Sequence, residues 1–447
     1  VALRVIRRVT EEGAYSNLAL VAELHRSSLA PRDRGFAADL VRGTLRRLLP
    51  LDRAIASASS RPLAAVDPPA LALLRLGAYQ LLVASVAPHA AVGETVALAS
   101  GRHRGFVNAV LRRLALHPPD PPAGDTDDAV SLRTGLSPWA VAELRRLLPP
   151  EEVVPAAHAL GSPAPLSLRV NRCRADHGRV MAALRHAGLE PEPGRLHPDA
   201  VRVAGGLVAD LPGFADGWFA VQDEASLLVV AAAEVRPGHR VLDACAGPGG
   251  KAAHLACLAQ PGGVVVAGDV HPARSALVAR AAGRLGVPVR VLAQDARRPA
   301  VEARFDVALV DAPCSGLGAA RRRPELLWRP SKADLARLAR LQVAILCEVS
   351  GLVRPGGRLV YAVCTFPRAE TDAAVRAFLS KRSDFVAEAV PGPDGPAPSH
   401  RLWPHRHGTD AMFIAGFRRT KEEAPAGPTF DLEALPEALA EGPNHAA

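Results

Sequence analysis

The chain has 447 residues, 49% apolar and 22% charged, with a formal net charge of +9. That length points to two or three domains, and the apolar fraction excludes global disorder. No run of about 18 uncharged apolar residues occurs, which excludes a membrane-spanning helix. The opening Val1-Ala2-Leu3-Arg4 reads as an amphipathic helix rather than a signal peptide. Six cysteines without a C-x-x-C pair make neither a disulfide framework nor a zinc motif, so a reducing cytoplasm is expected. Only 4 of the 54 basic residues are Lys; with the Ala and Pro richness this looks like a GC-rich genome. The position of the charge says more than its amount. Residues 1–118 hold 16 Arg against 8 acidic residues, a net of +8, and the rest of the chain is near neutral. A basic domain on a neutral body fits a polyanionic partner; a solvated Arg-rich surface is the plain alternative.

Residues 1–117 read as all helix. Over 33–49 the residues Phe36, Leu40, Val41, Leu45 and Leu48 form one apolar stripe, with Asp33 as the expected N-cap. Apolar helices follow at 69–83, 88–100 and 104–116. The Pro- and Asp-rich stretch 118–128 reads as a linker. Residues 129–217 combine further helix with a small α+β unit: strands at 166–170 and 200–204 and a helix at 176–187. From 218 to 419, apolar strands at 239–243, 264–269, 288–293, 305–310, 357–363, 384–390 and 411–417 alternate with helical stretches. That spacing indicates an α/β fold with a mostly parallel sheet. The Ala-, Pro- and Glu-rich tail 420–447 reads as disordered.

The run Asp243-Ala244-Cys245-Ala246-Gly247-Pro248-Gly249-Gly250-Lys251 leaves a strand and opens a helix. Glycines there allow a tight turn and close backbone approach to a ligand. A phosphate P-loop is rejected, because Cys245 stands where it needs Gly and Ala252 where it needs Ser or Thr. The next two strands end in Asp269 and in Gln294-Asp295. Acidic groups at successive strand ends point to an adenosine-type ligand, since a carboxylate there accepts from ribose hydroxyls.

Two further strands end in Asp311-Ala312-Pro313-Cys314-Ser315-Gly316 and in Cys364-Thr365-Phe366. If those strands are parallel neighbours, two thiols meet at the carboxyl edge beside the glycine turn, which favours covalent chemistry. Cys173, Cys257 and Cys347 lie in strand-like or helical runs and read as small core hydrophobes, and Cys245 as a packing contact in the turn. The run Arg321-Arg322-Arg323 is either surface or a phosphate-positioning element beside the site. His405 and His407 lack a second cluster of matching spacing, so no metal is expected.

DACAGPGGK (243–251), DAPCSG (311–316) and YAVCTF (361–366) resemble the motifs of RNA cytosine-C5 methyltransferases, as do QDEAS (222–226) and LSLRVN (166–171). DRGFAADLVRGTLRR (33–47) and RGFVNAVLRR (104–113) are similar to the helical NusB-type RNA-binding domain. The combination resembles the bacterial 16S rRNA methyltransferases of the RsmB (Sun/Fmu) type. The resemblance implies a class I S-adenosylmethionine-dependent methyltransferase, Rossmann-like with a mostly parallel sheet, preceded by a small α+β unit and an all-α NusB-like domain. It implies Cys364 as the nucleophile on carbon 6 of cytosine and Cys314 as the residue assisting adduct breakdown. Asp311 would hold the cytosine edge or the cofactor region. Residues Cys245, Ala246, Gly247, Pro248, Gly249, Gly250 and Lys251 would hold the methionine part of S-adenosyl-L-methionine; Asp269 with Arg274 would hold the ribose, and Asp295 the adenine. The implied partner is 16S rRNA, with its target cytosine unstacked. Neither metal nor membrane is implied, and a monomer is the simplest expectation. Departures from the family pattern stand at Gly247-Pro248, at Ala369-Glu370-Thr371-Asp372 and at Ala411-Met412-Phe413. Methylation of tRNA or of DNA, or RNA binding by a vestigial methylase body, are the competing readings.

Overall fold

A computed structural model describes residues 1–120, 122–205, 208–302 and 304–420. All but the first residue of the tail read as disordered lie outside this set. The chain forms two compact units: residues 1–163 with 319–332, and residues 164–318 with those from 333 onward.

The first unit is helical. Helices Pro31–Arg46, Pro68–Leu82, Pro88–Ala97, Pro138–Leu147 and Pro150–Leu160 all start on proline. Proline is preorganised for a helix start and its missing N–H is not needed there. The apolar stripes close one core, in which Val41, Leu45, Ile55, Leu74, Val107 and Leu111 are buried. Two expectations fail at the start of the third helix. Phe36 is 49% exposed. The helix begins earlier than expected, so Ala30 holds the cap position and Asp33 falls in the first turn, where its charge faces the positive helix end. The helices between 127 and 160, which the sequence grouped with the α+β unit, pack in this unit instead.

Segment 319–332 also belongs to this helical unit. Arg46 Nη2 donates to the Arg321 carbonyl at 2.9 Å, Trp328 Nε1 to the Leu45 carbonyl at 2.9 Å, and Arg329 Nη2 to the carbonyls of Val9 and Ala14. The Arg323 guanidinium lies over the Tyr15 ring. The arginine run is therefore part of a backbone-satisfying seam of the helical unit.

The second unit contains two sheets. Strands β1 (Leu166–Val170), β2 (Glu192–Pro193), β3 (Ala200–Val203) and β4 (Phe219–Val221) form an antiparallel sheet in the order β2-β3-β1-β4. Helix His177–His186 covers it through Val180, Met181 and Leu184. The large sheet is built from β5 (Arg240–Asp243), β6 (Val264–Asp269), β7 (Arg290–Ala293), β8 (Phe305–Asp311), β9 (Val353–Val363), β10 (Phe385–Glu388), β11 (Ser399–Leu402) and β12 (Met412–Arg419). Its order is β10-β12-β9-β8-β5-β6-β7, with β11 on β12. The pairs β5–β6, β6–β7, β5–β8 and β8–β9 are parallel, and β12 runs antiparallel to β9. Helices Gly250–Ala259 and Pro272–Leu285 pack on one face, and Lys332–Ser350 and Asp372–Lys381 on the other. This is a doubly wound α/β sheet with a topological switch between β5 and β8, where ligand sites form at the carboxyl edge.

Cys173 and Cys257, read as separate core residues, form a disulfide across 84 residues, with Cα atoms 6.0 Å apart. The pairing corrects the expectation that the chain carries no disulfide. It ties the loop after β1 to helix Gly250–Ala259.

Candidate active site

β5 delivers Asp243 to the carboxyl edge, and the glycine turn then reverses into helix Gly250–Ala259. Gly249 has φ +107°, and a Cβ there would stand 2.8 Å from Val278 Cα. A Cβ on Gly247 would stand 2.4 Å from Asp269 Oδ2. Glycine at 247 therefore lets its own N–H reach that oxygen at 3.1 Å, while the His271 N–H donates to Asp269 Oδ1 at 2.9 Å. Asp269 is thereby fixed at the end of β6, under the turn. Arg274 is exposed on the following helix. Asp295, beyond the end of β7, accepts from Arg297, whose hydrogen bonds hold its carboxyl below the usual range. Its neighbour Gln294 is buried; Oε1 accepts from the Ala300 N–H, and Nε2 has no partner.

Asp243 is 1% exposed, and neither carboxylate oxygen has a hydrogen-bond partner in good geometry. Burial first, and then the charge of Asp311, push its pKa up to about 7, against Lys251 and the Cys245 N–H. Cys245 is also pushed well above the ordinary thiol range by burial and by the surrounding carboxylates, so it is no nucleophile.

The adjacency of β8 and β9 brings the two loop cysteines together: Cys314 Sγ lies 3.4 Å from Cys364 Sγ. This is a thiol–thiol contact, and both cysteines are free. The hydrogen bond to Cys364 raises the Cys314 pKa most, followed by burial and by the charges of Cys364, Glu370 and Asp311. The two sulfurs thus share one partly buried contact in which either thiol can donate. Lys251 Nζ meets Asp311 Oδ2 at 2.6 Å. Burial opposes the ammonium charge, but Asp311, with Cys364 and Asp243 behind it, outweighs burial and raises the Lys251 pKa. A fixed cation thus stands between the glycine turn and the cysteine loops.

The structure brings Asp243, the turn 245–251, Asp269, Asp311, Cys314 and Cys364 to one edge. It also shows a brace that motif reading passed over. Glu370 is fully buried, and burial raises its pKa. It accepts from the Ser315 N–H at 2.9 Å, Ser315 Oγ at 2.6 Å and Gln342 Nε2 at 2.9 Å. Ser315 Oγ lies 2.7 Å from Thr365 Oγ1, and Tyr361 OH donates to the Glu370 carbonyl at 2.7 Å. This network locks the residue after Cys314 to the residue after Cys364. The signal in the sequence was a lone Glu between Ala369 and Thr371, noted only as a departure. His407 Nδ1 accepts from the Trp403 N–H at 2.8 Å. Among the described residues no His, Cys, Asp and Glu cluster has metal-binding geometry, and no helix is long and apolar enough to cross a membrane.

Fold and site together define a class I methyltransferase architecture carrying a two-cysteine edge site. The model of the 16S rRNA methyltransferase RsmB/F family matches residues 230–418, that of the NusB family residues 1–116, and that of a ferredoxin-like domain of RsmF/B-like methyltransferases residues 136–209. A Mycobacterium tuberculosis protein named as a methyltransferase is 39% identical over 94% of this chain and 95% of its own. Ribosomal RNA small subunit methyltransferase B of Salmonella arizonae is 34% identical over 93% and 96%. Among solved structures, PH0851 superposes with a TM-score of 0.81 at 25% identity, covering 93% of this chain and 97% of that one. The chain belongs to the 16S rRNA methyltransferase RsmB/F family.

Proposed function

We propose that this protein methylates carbon 5 of a cytidine in 16S rRNA, with S-adenosyl-L-methionine as donor, in the cytoplasm. The carrying observation is the Cys314–Cys364 contact of 3.4 Å at the sheet edge beside the glycine turn.

The residues present fit the donor. Asp243 offers two buried, unpartnered oxygens that suit a cationic group such as an amino-acid ammonium. Asp269 accepts from two backbone N–H groups and has acceptor capacity beyond them, which suits ribose hydroxyls. Residues 245–251 supply backbone at close approach, Arg274 stands beside the ribose position, and Asp295 serves the adenine. When bound, the donor supplies an electrophilic methyl group.

The protein's own chemistry then runs through the thiol pair. The Cys364 thiolate adds to carbon 6 of the cytosine, forming a C–S bond and pushing the ring electrons to carbon 5, which becomes nucleophilic enough to take the methyl group. Asp311, fixed by Lys251, accepts from the cytosine edge, and the Lys251 ammonium beside it offsets the negative charge that develops on the ring. Cys314 assists breakdown: water takes the carbon 5 proton, the electron pair of that C–H bond restores the ring double bond, the C–S bond breaks and Cys364 regains its electron pair. The brace at Glu370 keeps the two loops in register during this exchange.

The test uses the full chain with unmodified 16S rRNA transcript and radiolabelled donor. Cys364→Ser should abolish transfer, and Cys314→Ser should accumulate a denaturant-resistant protein–RNA adduct. Retained transfer by Cys364→Ser together with loss in Cys314→Ser would reverse the roles. Methylation of tRNA in place of 16S rRNA would move the substrate assignment.

A further inference from the structure

Away from the cysteine edge, the second unit holds a cavity of about 480 Å³ lined by Arg174, Arg179, Ala215, Asp216, Trp218 and Arg284. Three guanidinium groups face one carboxylate. Among the described residues, neither Arg174 nor Arg179 has an ion-pair partner; Arg179 stacks over the Trp218 ring at 4.0 Å. Arg284 lies over the Phe214 ring at 4.1 Å and donates only to backbone, to the carbonyls of Phe214 at 2.6 Å and Phe219 at 3.1 Å.

The walls are built in place. Asn171, 1% exposed at the end of β1, donates from Nδ2 to the carbonyls of Gly217 and Leu285, both at 2.8 Å. Its own carbonyl accepts from the Arg174 N–H at 2.9 Å. One residue thus fixes the loop bearing Arg174 through its backbone carbonyl, and the turn before Trp218 and the end of the helix bearing Arg284 through its side-chain amide. Gly286 clears the floor: a Cβ there would stand 1.8 Å from Arg174 Nη2. Long cationic side chains without acidic partners ordinarily extend into solvent. Arg179 is seated on the Trp218 ring, and Arg284 on the Phe214 ring and on backbone, with donors left over.

The chemistry that fits is a nucleotide of single-stranded RNA. Unpaired bases stack on indole and guanidinium planes, the arginine fork matches a phosphodiester, and a carboxylate such as Asp216 can accept from a ribose 2′-hydroxyl. The pocket is remote from the chemistry. Helix Pro272–Leu285 starts by Asp269 and carries Arg284 at its other end, ~18 Å along the axis at 1.5 Å per residue. We infer that this pocket takes an unpaired nucleotide of the RNA substrate outside the methylated cytosine, with its base against Trp218 and Arg179 and its phosphate on Arg174 and Arg284. The inference rests on the RNA-methylating reading above and adds a subsite to it.

The test measures binding of the full chain to unmodified 16S rRNA transcript across salt concentrations, alongside methyl transfer. Arg284 is left intact because it holds backbone. Arg174→Ala with Arg179→Ala, both exposed, should weaken binding about tenfold and lower the slope of log affinity against log salt by about 0.7, the value for one lost single-strand phosphate contact, since Arg174 holds the phosphate and Arg179 the base. KM for RNA should rise by a similar factor with kcat within about twofold. Trp218→Leu should lose affinity by about tenfold with the salt slope unchanged, as expected for lost stacking. Arg376→Ala, exposed on helix Asp372–Lys381, should change neither. Wild-type affinity and slope in the double variant would overturn the subsite. A wild-type protein that binds the transcript but transfers no methyl group would instead remove the enzymatic reading, while the binding arm still decides the pocket.

Discussion

Asp243 makes a prediction whose sign is unusual for a carboxylate. Paired carboxylates are generally held below their unfolded pKa and stabilise the fold at neutral pH. Here burial raises the pKa from 3.8 to about 7. Between those values the folded protein holds a proton that the unfolded chain has released, so stability falls as pH rises through that window. At ~1.4 kcal/mol per pH step, about 4 kcal/mol is lost in all, and about 3 kcal/mol of it lies between pH 5 and pH 8. Asp243→Asn keeps the shape and removes the titration. Urea unfolding of wild type and variant at pH 5 and pH 8, without methyl donor, should show the variant gaining about 3 kcal/mol relative to wild type across that interval. Any fixed cost of the amide cancels in this difference. The same substitution should weaken binding of S-adenosylhomocysteine, which keeps the ammonium group, and abolish the rise in wild-type affinity between pH 5 and pH 7. Parallel stability profiles for the two proteins would show that Asp243 is ionised on folding and would refute the reasoning.

Other perturbations separate the parts of the site. Glu370→Ala leaves the Ser315 N–H, Ser315 Oγ and Gln342 Nε2 without their acceptor in the interior. A loss of about 3–5 kcal/mol in unfolding free energy is expected, together with slower transfer by the remaining folded protein. Lys251→Met strips Asp311 of its ion pair at 2.6 Å. It should lower the transfer rate by about 10²–10³ while RNA affinity, measured by filter binding, stays within about twofold. The Cys173–Cys257 bond predicts four titratable thiols, not six, in the unreduced denatured protein. Cys173→Ser should cost about 2–4 kcal/mol of stability, read by the same urea titration.

How much of this was legible follows from where each signal is written. Buried parallel strands are continuous apolar runs, so their carboxyl ends stand out as the first polar residues after each run. Asp243, Asp269, Asp311 and Cys364 are all of this kind, which is why the edge could be assembled from spacing and from resemblance. Glu370 is not. Its partners lie 55 residues away at Ser315 and 28 away at Gln342, on a loop and on a long helix, and nothing local distinguishes a bracing carboxylate from a surface one. The disulfide is invisible for the same reason, because 84 residues and a change of sheet separate its cysteines. Phe36 fails differently: periodicity gives the face of a helix but not how far a neighbour covers it, and the core reaches Leu40 but leaves Phe36 half exposed.

The charge division has the same limit and leads to one further step. A net of +8 over residues 1–118 marked the helical unit as the RNA-facing part. Several of those arginines are spent internally: Arg75 on Asp52 at 2.7 Å, Arg46 on the Arg321 carbonyl, and Arg47 on the Arg133 carbonyl. Arg174 and Arg179 lie instead on the unit whose net charge gave no hint; among the described residues neither has an ion-pair partner, and Arg179 stacks on an indole. For a polyanion the useful quantity is the number of guanidinium groups left uncommitted and preorganised, because only those release counterions on binding. By that criterion the near-neutral body contributes specific contacts to RNA alongside the basic helical unit, and the salt slope of the Arg174 and Arg179 variant is the measurement that weighs them.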